Sequence, residues 1–91
     1  MADRIVVVDD DRMSLKLVRR VFEKAGIEGV YLGSGAETLA YFDGAAAPDL
    51  ILLDVHMPDM DGFDVLKRLR EDPGLRAVPV VFLTGDEDVK T

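Results

Sequence analysis

Residues 48–54 read PDLILLD, a short apolar run that a proline introduces and a carboxylate ends. The run is apolar at every position rather than at every second one, which is typical of a strand covered by helices on both faces. Similar apolar runs stand directly before Asp9 and Asp10 and before Thr84. Helical patterns separate these runs. The sequence therefore predicts an α/β fold built on a parallel sheet.

Three helices are predicted between the strands, each from apolar residues at helical spacing and from residues that begin or end helices. Ser34 and Glu37 form a capping-box pattern at the start of the second helix. A fourth helix is predicted to begin within residues 86–91, because acids favour a helix N-terminus. The apolar stripes of the first and third helices are Met13, Leu17, Val21 and Ala25, and Phe63, Leu66 and Leu69.

Four polar residues follow the predicted strands directly: Asp9, Asp10, Asp54 and Thr84. Because the carboxyl ends of parallel strands face one crevice, we expect these side chains to meet there. Crowded carboxylates repel one another unless a cation neutralises them, and oxygen ligands favour magnesium, manganese or calcium. A carboxylate beside such an ion can attack phosphorus, and a hydroxyl can donate to a phosphoryl oxygen. The pattern predicts a cation and phosphate site.

Several residues near the strand ends also have a purely structural interpretation. Asp9 to Asp11 could be acids that cap the first helix. Thr84 could be an ordinary residue at the end of a strand. His56 is the only histidine, and its imidazole is typical of a loop side chain. The agreement of separate strand ends favours the cation site over these alternatives.

Composition limits the function classes. The 91 residues are enough for one domain, which we predict to span residues 1–91. A net charge of -7 opposes direct binding to nucleic acid or to an anionic membrane surface, because such binding depends mainly on Lys and Arg. The chain has no cysteine and no pattern of a signal peptide, so we expect a soluble, cytoplasmic protein.

Three stretches resemble the response regulator receiver domains of two-component signalling. They are VVVDDD at residues 6–11, PDLILLDVHMPDMDG at residues 48–62 and VPVVFLTG at residues 78–85. The resemblance implies a flavodoxin-like fold with helices on both faces of the sheet and strand order 2-1-3-4-5. It implies a signalling domain rather than an enzyme. Such a domain catalyses only its own phosphorylation and dephosphorylation. A histidine kinase or a phosphotransfer protein would be the partner.

The resemblance also implies a role for each residue of the site. Asp54 would be the phosphoacceptor, and Asp10 and Asp54 would bind Mg2+ directly. The backbone carbonyl of His56 would be a third protein ligand, and Asp9 would act on the metal through water. Thr84 would be the switch hydroxyl that turns toward the phosphoryl group.

The sequence departs from the family pattern at its C-terminal end. A fifth strand that ends in a lysine, and the last helix, are not found, so the predicted sheet is truncated to order 2-1-3-4. Lys90 follows Thr84 with no strand between them, which favours a solvated lysine. The strand at Val80 to Leu83 would then be an apolar edge. We expect homo-oligomers or segment exchange through that edge.

Two other functions stay open. A truncated receiver could act only as a non-phosphorylated binding or oligomerisation scaffold. A phosphohydrolase could use Asp54 as its nucleophile, but it needs a second acid two positions later, where this chain has His56.

Overall fold

The computed structural model describes residues 3–83, which form four β-strands, three α-helices and one short 3-10 turn. Thr84, Lys90 and the helix predicted within residues 86–91 lie outside the described residues. No helix within residues 3–83 is long and apolar enough to cross a membrane. In chain order, the elements are β1 (Arg4–Val8), α1 (Arg12–Ala25), β2 (Glu28–Leu32), α2 (Gly35–Phe42), β3 (Leu50–Asp54), α3 (Gly62–Arg70), the 3-10 turn (Pro73–Leu75) and β4 (Val80–Leu83).

The four strands form one parallel sheet in the order β2-β1-β3-β4. The register places Val8 of β1 beside Leu32 of β2 and Leu53 of β3. Consecutive parallel strands need a crossover, and the helices between them supply it. The predicted α/β class and the strand order 2-1-3-4 of a flavodoxin-like sheet are confirmed.

The core lies mainly between the sheet and the helices α2 and α3. The two central strands supply Val6, Val8, Ile51 and Leu53, all of them fully buried or nearly so. Each such side chain contributes about 1.5–3 kcal/mol relative to an exposed one. They pack with residues of α2, α3 and the segments that follow them, namely Phe42, Met57, Val65, Leu69, Leu75 and Val78.

Local signals begin and end the helices where the sequence indicates. The side chain of Ser34 accepts a hydrogen bond from the Glu37 amide at 3.0 Å, as a capping box requires. The Glu37 carboxylate accepts from the Gly33 amide at 2.6 Å, one residue before the usual partner. Gly26 ends α1 with φ 75°, in the left-handed region that glycine adopts without strain. These caps fix where α1 ends and where α2 begins.

The predicted apolar stripe of α1 differs from the stripe that packs. Val18 and Phe22 are half-buried, and α1 lies against β2. Two adjacent stripes of this helix are apolar, and spacing alone does not say which of them faces the sheet. In α3, similarly, Val65 is fully buried whereas Phe63 is exposed. The α1 residues of the predicted stripe are exposed in the described structure: Met13 by 62%, Leu17 by 56% and Val21 by 62%.

Candidate metal centre

Three carboxylates meet at the carboxyl edge of the sheet. Asp9 and Asp10 directly follow β1, and Asp54 is the last residue of β3. Because β1 and β3 are neighbours with Val8 opposite Leu53, the two strands end at the same level. One carboxylate oxygen from each of the three aspartates lies within 4.8 Å of the others. The structure thus brings together the three acids that the sequence places at one rim.

Asp54 is the buried member of this acidic cluster. Its side chain is 8% exposed, whereas Asp9 is half-buried and Asp10 is exposed. Burial, together with the nearby charge of Asp9, raises the pKa of Asp54 from its ordinary value of 3.8 to about 6. The His56 amide opposes this shift by donating to Asp54 Oδ1 at 3.2 Å. The cluster is therefore a place where negative charge is costly without a cation.

Asp11 has a different role from its two neighbours. Its side chain accepts from the Met13 amide at 3.0 Å and from the Ser14 hydroxyl at 3.1 Å, so Asp11 is the N-cap of α1. Asp9 Oδ1 accepts from the Asp11 amide at 3.0 Å, which orients Asp9 at the rim. The capping interpretation thus applies to Asp11, whereas Asp9 and Asp10 belong to the acidic cluster.

The remaining predicted site residues are placed less completely. The His56 side chain is exposed, and its backbone amide contacts Asp54, but the role of its carbonyl as a metal ligand stays a prediction. Leu83, the last residue of β4, pairs with Asp54 of β3. Thr84 follows Leu83 and lies outside the described residues, so its role as a switch hydroxyl also stays a prediction.

The donor set of the cluster suits a hard divalent ion. All three side chains offer carboxylate oxygens, which Mg2+, Mn2+ and Ca2+ prefer over nitrogen or sulfur. Mg2+ commonly binds through one or two carboxylates and keeps several waters. Because Asp10 is exposed, the cluster leaves room for the ion and for its waters.

Comparison with known proteins assigns the family. The family model described as the response regulator receiver domain matches residues 5–91. The chain belongs to this family. The polar-differentiation response regulator DivK of Brucella ovis is 37% identical to this receiver domain, over 97% of this chain and 75% of the relative.

Two solved structures are also similar to this receiver domain. The phosphorylated cyanobacterial phytochrome response regulator RcpA is 31% identical, with a TM-score of 0.84, over 97% of this chain and 69% of that one. The Mn2+-bound form of response regulator Rcp1 is 29% identical, with a TM-score of 0.81, over 96% of this chain and 68% of that one. The fold is thus that of a receiver domain.

One contact of this receiver domain is not visible in the sequence. The Asp59 carboxylate, in the loop between β3 and α3, accepts hydrogen bonds from the amides of Gly35 and Ala36 at the start of α2. These two amides lower the pKa of Asp59. A lone aspartate in a loop indicates a turn or a cap, but its spacing does not reveal a partner in another helix.

The raised pKa of Asp54 predicts how stability depends on pH without divalent ions. Between about pH 4 and pH 6 the folded protein binds the Asp54 proton more tightly than the unfolded chain does. The free energy of unfolding should therefore fall as the pH rises through this window. The stabilising contribution of the Asp54 proton is fully present below about pH 4 and is lost above about pH 6. Urea unfolding in EDTA at several pH values would measure this effect.

Asp54→Asn is the control for this pH dependence. The variant carries no titratable group at position 54, so we expect it to be more stable than the wild type by about 1–2 kcal/mol at pH 7.5. The two proteins should approach equal stability near pH 4. A difference in stability that is the same at every pH would contradict the prediction.

Proposed function

We propose that this receiver domain accepts a phosphoryl group on Asp54 from a phosphohistidine of a histidine kinase or phosphotransfer protein in the cytoplasm. The single observation that carries the proposal is the convergence of Asp9, Asp10 and the buried Asp54 within 4.8 Å. The similar structures of phosphorylated RcpA and of Mn2+-bound Rcp1 support both parts of the proposed chemistry.

The chain's own residues would act as follows. A carboxylate oxygen of Asp54 forms a bond to phosphorus while the bond from phosphorus to the donor's imidazole nitrogen breaks, and that nitrogen takes up a proton. Asp10, Asp54 and the His56 carbonyl would hold Mg2+, with Asp9 acting through water. The ion, when bound, would offset the negative charge of the phosphoryl group. The Thr84 hydroxyl would then donate to a phosphoryl oxygen.

Intact mass measures the proposed reaction directly. The wild type and Asp54→Asn are incubated with Mg2+ and a small-molecule phosphodonor, with and without EDTA. We expect one phosphoryl adduct on the wild type with Mg2+, and none on the variant or in EDTA. An adduct on Asp54→Asn would exclude Asp54 as the acceptor. The absence of an adduct on either protein would favour the non-phosphorylated scaffold, whereas repeated turnover of the donor would favour a phosphohydrolase.

We also propose that this protein associates through β4, in homo-oligomers or by segment exchange. Within residues 3–83, β4 is an edge strand that pairs only with β3, and its Val81 side chain is 49% exposed. An apolar edge with free backbone groups is a template for another strand. Sedimentation velocity over a hundredfold range of concentration should show a dimer or larger species. A monomer at every concentration would contradict this proposal.

A further inference from the structure

We propose that Asp59 is a positioning residue, which fastens the β3–α3 loop to the N-terminus of α2 and so holds the His56 carbonyl beside the acidic cluster. This inference rests on the proposed function, because it concerns the loop that carries a proposed ligand of the metal. Asp59 itself is not one of the clustered acids.

The contact joins two segments that are distant in sequence. Asp59 Oδ1 accepts from the Gly35 amide at 3.2 Å, and Oδ2 accepts from the Ala36 amide at 2.9 Å. Both amides lie in the first turn of α2, where backbone N–H groups have no partner within the helix. The charge of the carboxylate also suits the positive end of the helix dipole. Two hydrogen bonds to the two oxygens of one planar carboxylate fix the orientation of the loop relative to α2 as well as its distance from α2.

The rest of the loop is held at its base and at its core-facing side. The Gly62 amide donates to the Val55 carbonyl at 2.8 Å, which closes the base of the loop. Met57 is buried in the core. Met60 packs so closely on α2 that a Cβ at Gly35 would overlap it. Asp59 adds a side-chain hydrogen-bonded contact to α2 to this backbone hydrogen bond and to the apolar packing of the two methionines.

His56 depends on this arrangement because its own side chain does not hold it. The imidazole is exposed, and the only hydrogen bond found for the residue within the described chain is from its amide to Asp54. The direction of the His56 carbonyl is therefore set by the path of the loop. Groups that orient the ligands of a metal commonly change its affinity by about 10–100-fold. Loss of the Asp59 contact should loosen the loop and weaken metal binding without removing a ligand.

Three variants test the role of Asp59. Asp59→Ala removes both acceptor oxygens, Asp59→Asn keeps one of them, and Asp3→Ala removes an exposed acid whose side chain makes no hydrogen bond within residues 3–83. Mg2+ affinity is measured by titration calorimetry, and hydrogen–deuterium exchange reports on the Gly35 and Ala36 amides and on the loop. Both measurements are made well below the melting midpoint of each variant.

We expect Asp59→Ala to bind Mg2+ on the order of tenfold more weakly than the wild type. Exchange should accelerate at Gly35, at Ala36 and in the loop. Asp59→Asn should show an intermediate Mg2+ affinity, and Asp3→Ala should match the wild type.

Two results would overturn the inference while the proposed function stands. In the first, Asp59→Ala binds Mg2+ as tightly as the wild type although exchange accelerates, so that Asp59 only caps α2. In the second, exchange at Gly35 and Ala36 does not change. If the wild type itself bound no Mg2+, the metal site of the proposed function would fail instead, so the two failures are distinguishable.

Discussion

Asp10→Asn should weaken Mg2+ binding by about a hundredfold or more. A carboxylate beside a divalent ion near a protein surface contributes several kcal/mol of attraction, and even after screening by water about 3 kcal/mol should remain. The substitution keeps the size of the side chain but removes its charge. Because Asp10 is exposed, the fold should lose little stability. The expected result is therefore a folded protein that has lost most of its affinity for the ion.

The Mg2+-dependent shift of the melting midpoint measures this loss. For the wild type, Mg2+ at a hundred times its Kd should add about 2.7 kcal/mol to the free energy of unfolding. Asp10→Asn at the same concentration should show almost no shift.

Asp11→Asn is the matched control, since it makes the same change of charge one residue away. Asparagine caps a helix about as well as aspartate, so this variant should retain both its stability and its response to Mg2+. Equal shifts in all three proteins would contradict the assignment of Asp10 as a ligand.

The sequence predicts the acidic cluster well because strand ends are local signals. An apolar run that ends in a carboxylate fixes the position of that carboxylate at the rim, and a parallel sheet brings the rims together. For this reason the positions of Asp9, Asp10 and Asp54 can be predicted without knowledge of side-chain packing. The strand order followed from the resemblance to receiver domains, and it was confirmed.

The sequence does not predict which atoms touch across the fold. Asp59 and Gly35 are 24 residues apart, and their contact depends on how the β3–α3 loop lies against α2. The exposed stripe of α1 is a similar case, because both of its candidate faces are apolar, and only packing against β2 selects one. Contacts of this kind arise from tertiary placement, whereas residue spacing reports local geometry.

Gly62→Ala should destabilise the protein and disturb the site, although helix propensity favours the change. Gly62 is buried and begins α3. A Cβ at this position would lie 2.5 Å from the Asp54 carbonyl oxygen and 3.0 Å from the Val55 Cα. Both are backbone atoms, so no side chain can rotate away to make room. The gain from replacing glycine in a helix is at most about 1 kcal/mol, and the overlap should outweigh it.

We expect a net loss of about 2–3 kcal/mol, or a melting midpoint lower by about 10–20 °C. The backbone that must move carries Asp54, the proposed phosphoacceptor, so the rate of phosphorylation with Mg2+ should also fall at temperatures where the variant is folded. Thermal unfolding and the intact-mass assay measure the two effects.

Gly33→Ala is the control for this substitution, because it adds the same methyl group near the same rim. Its Cβ would meet only the Glu37 carboxylate, at 3.6 Å, which is an ordinary contact. This variant should keep its melting midpoint and its rate of phosphorylation. A Gly62→Ala protein as stable as Gly33→Ala would mean that the start of α3 can move away from Asp54. The close packing of Gly62 would then not be what holds Asp54 in place.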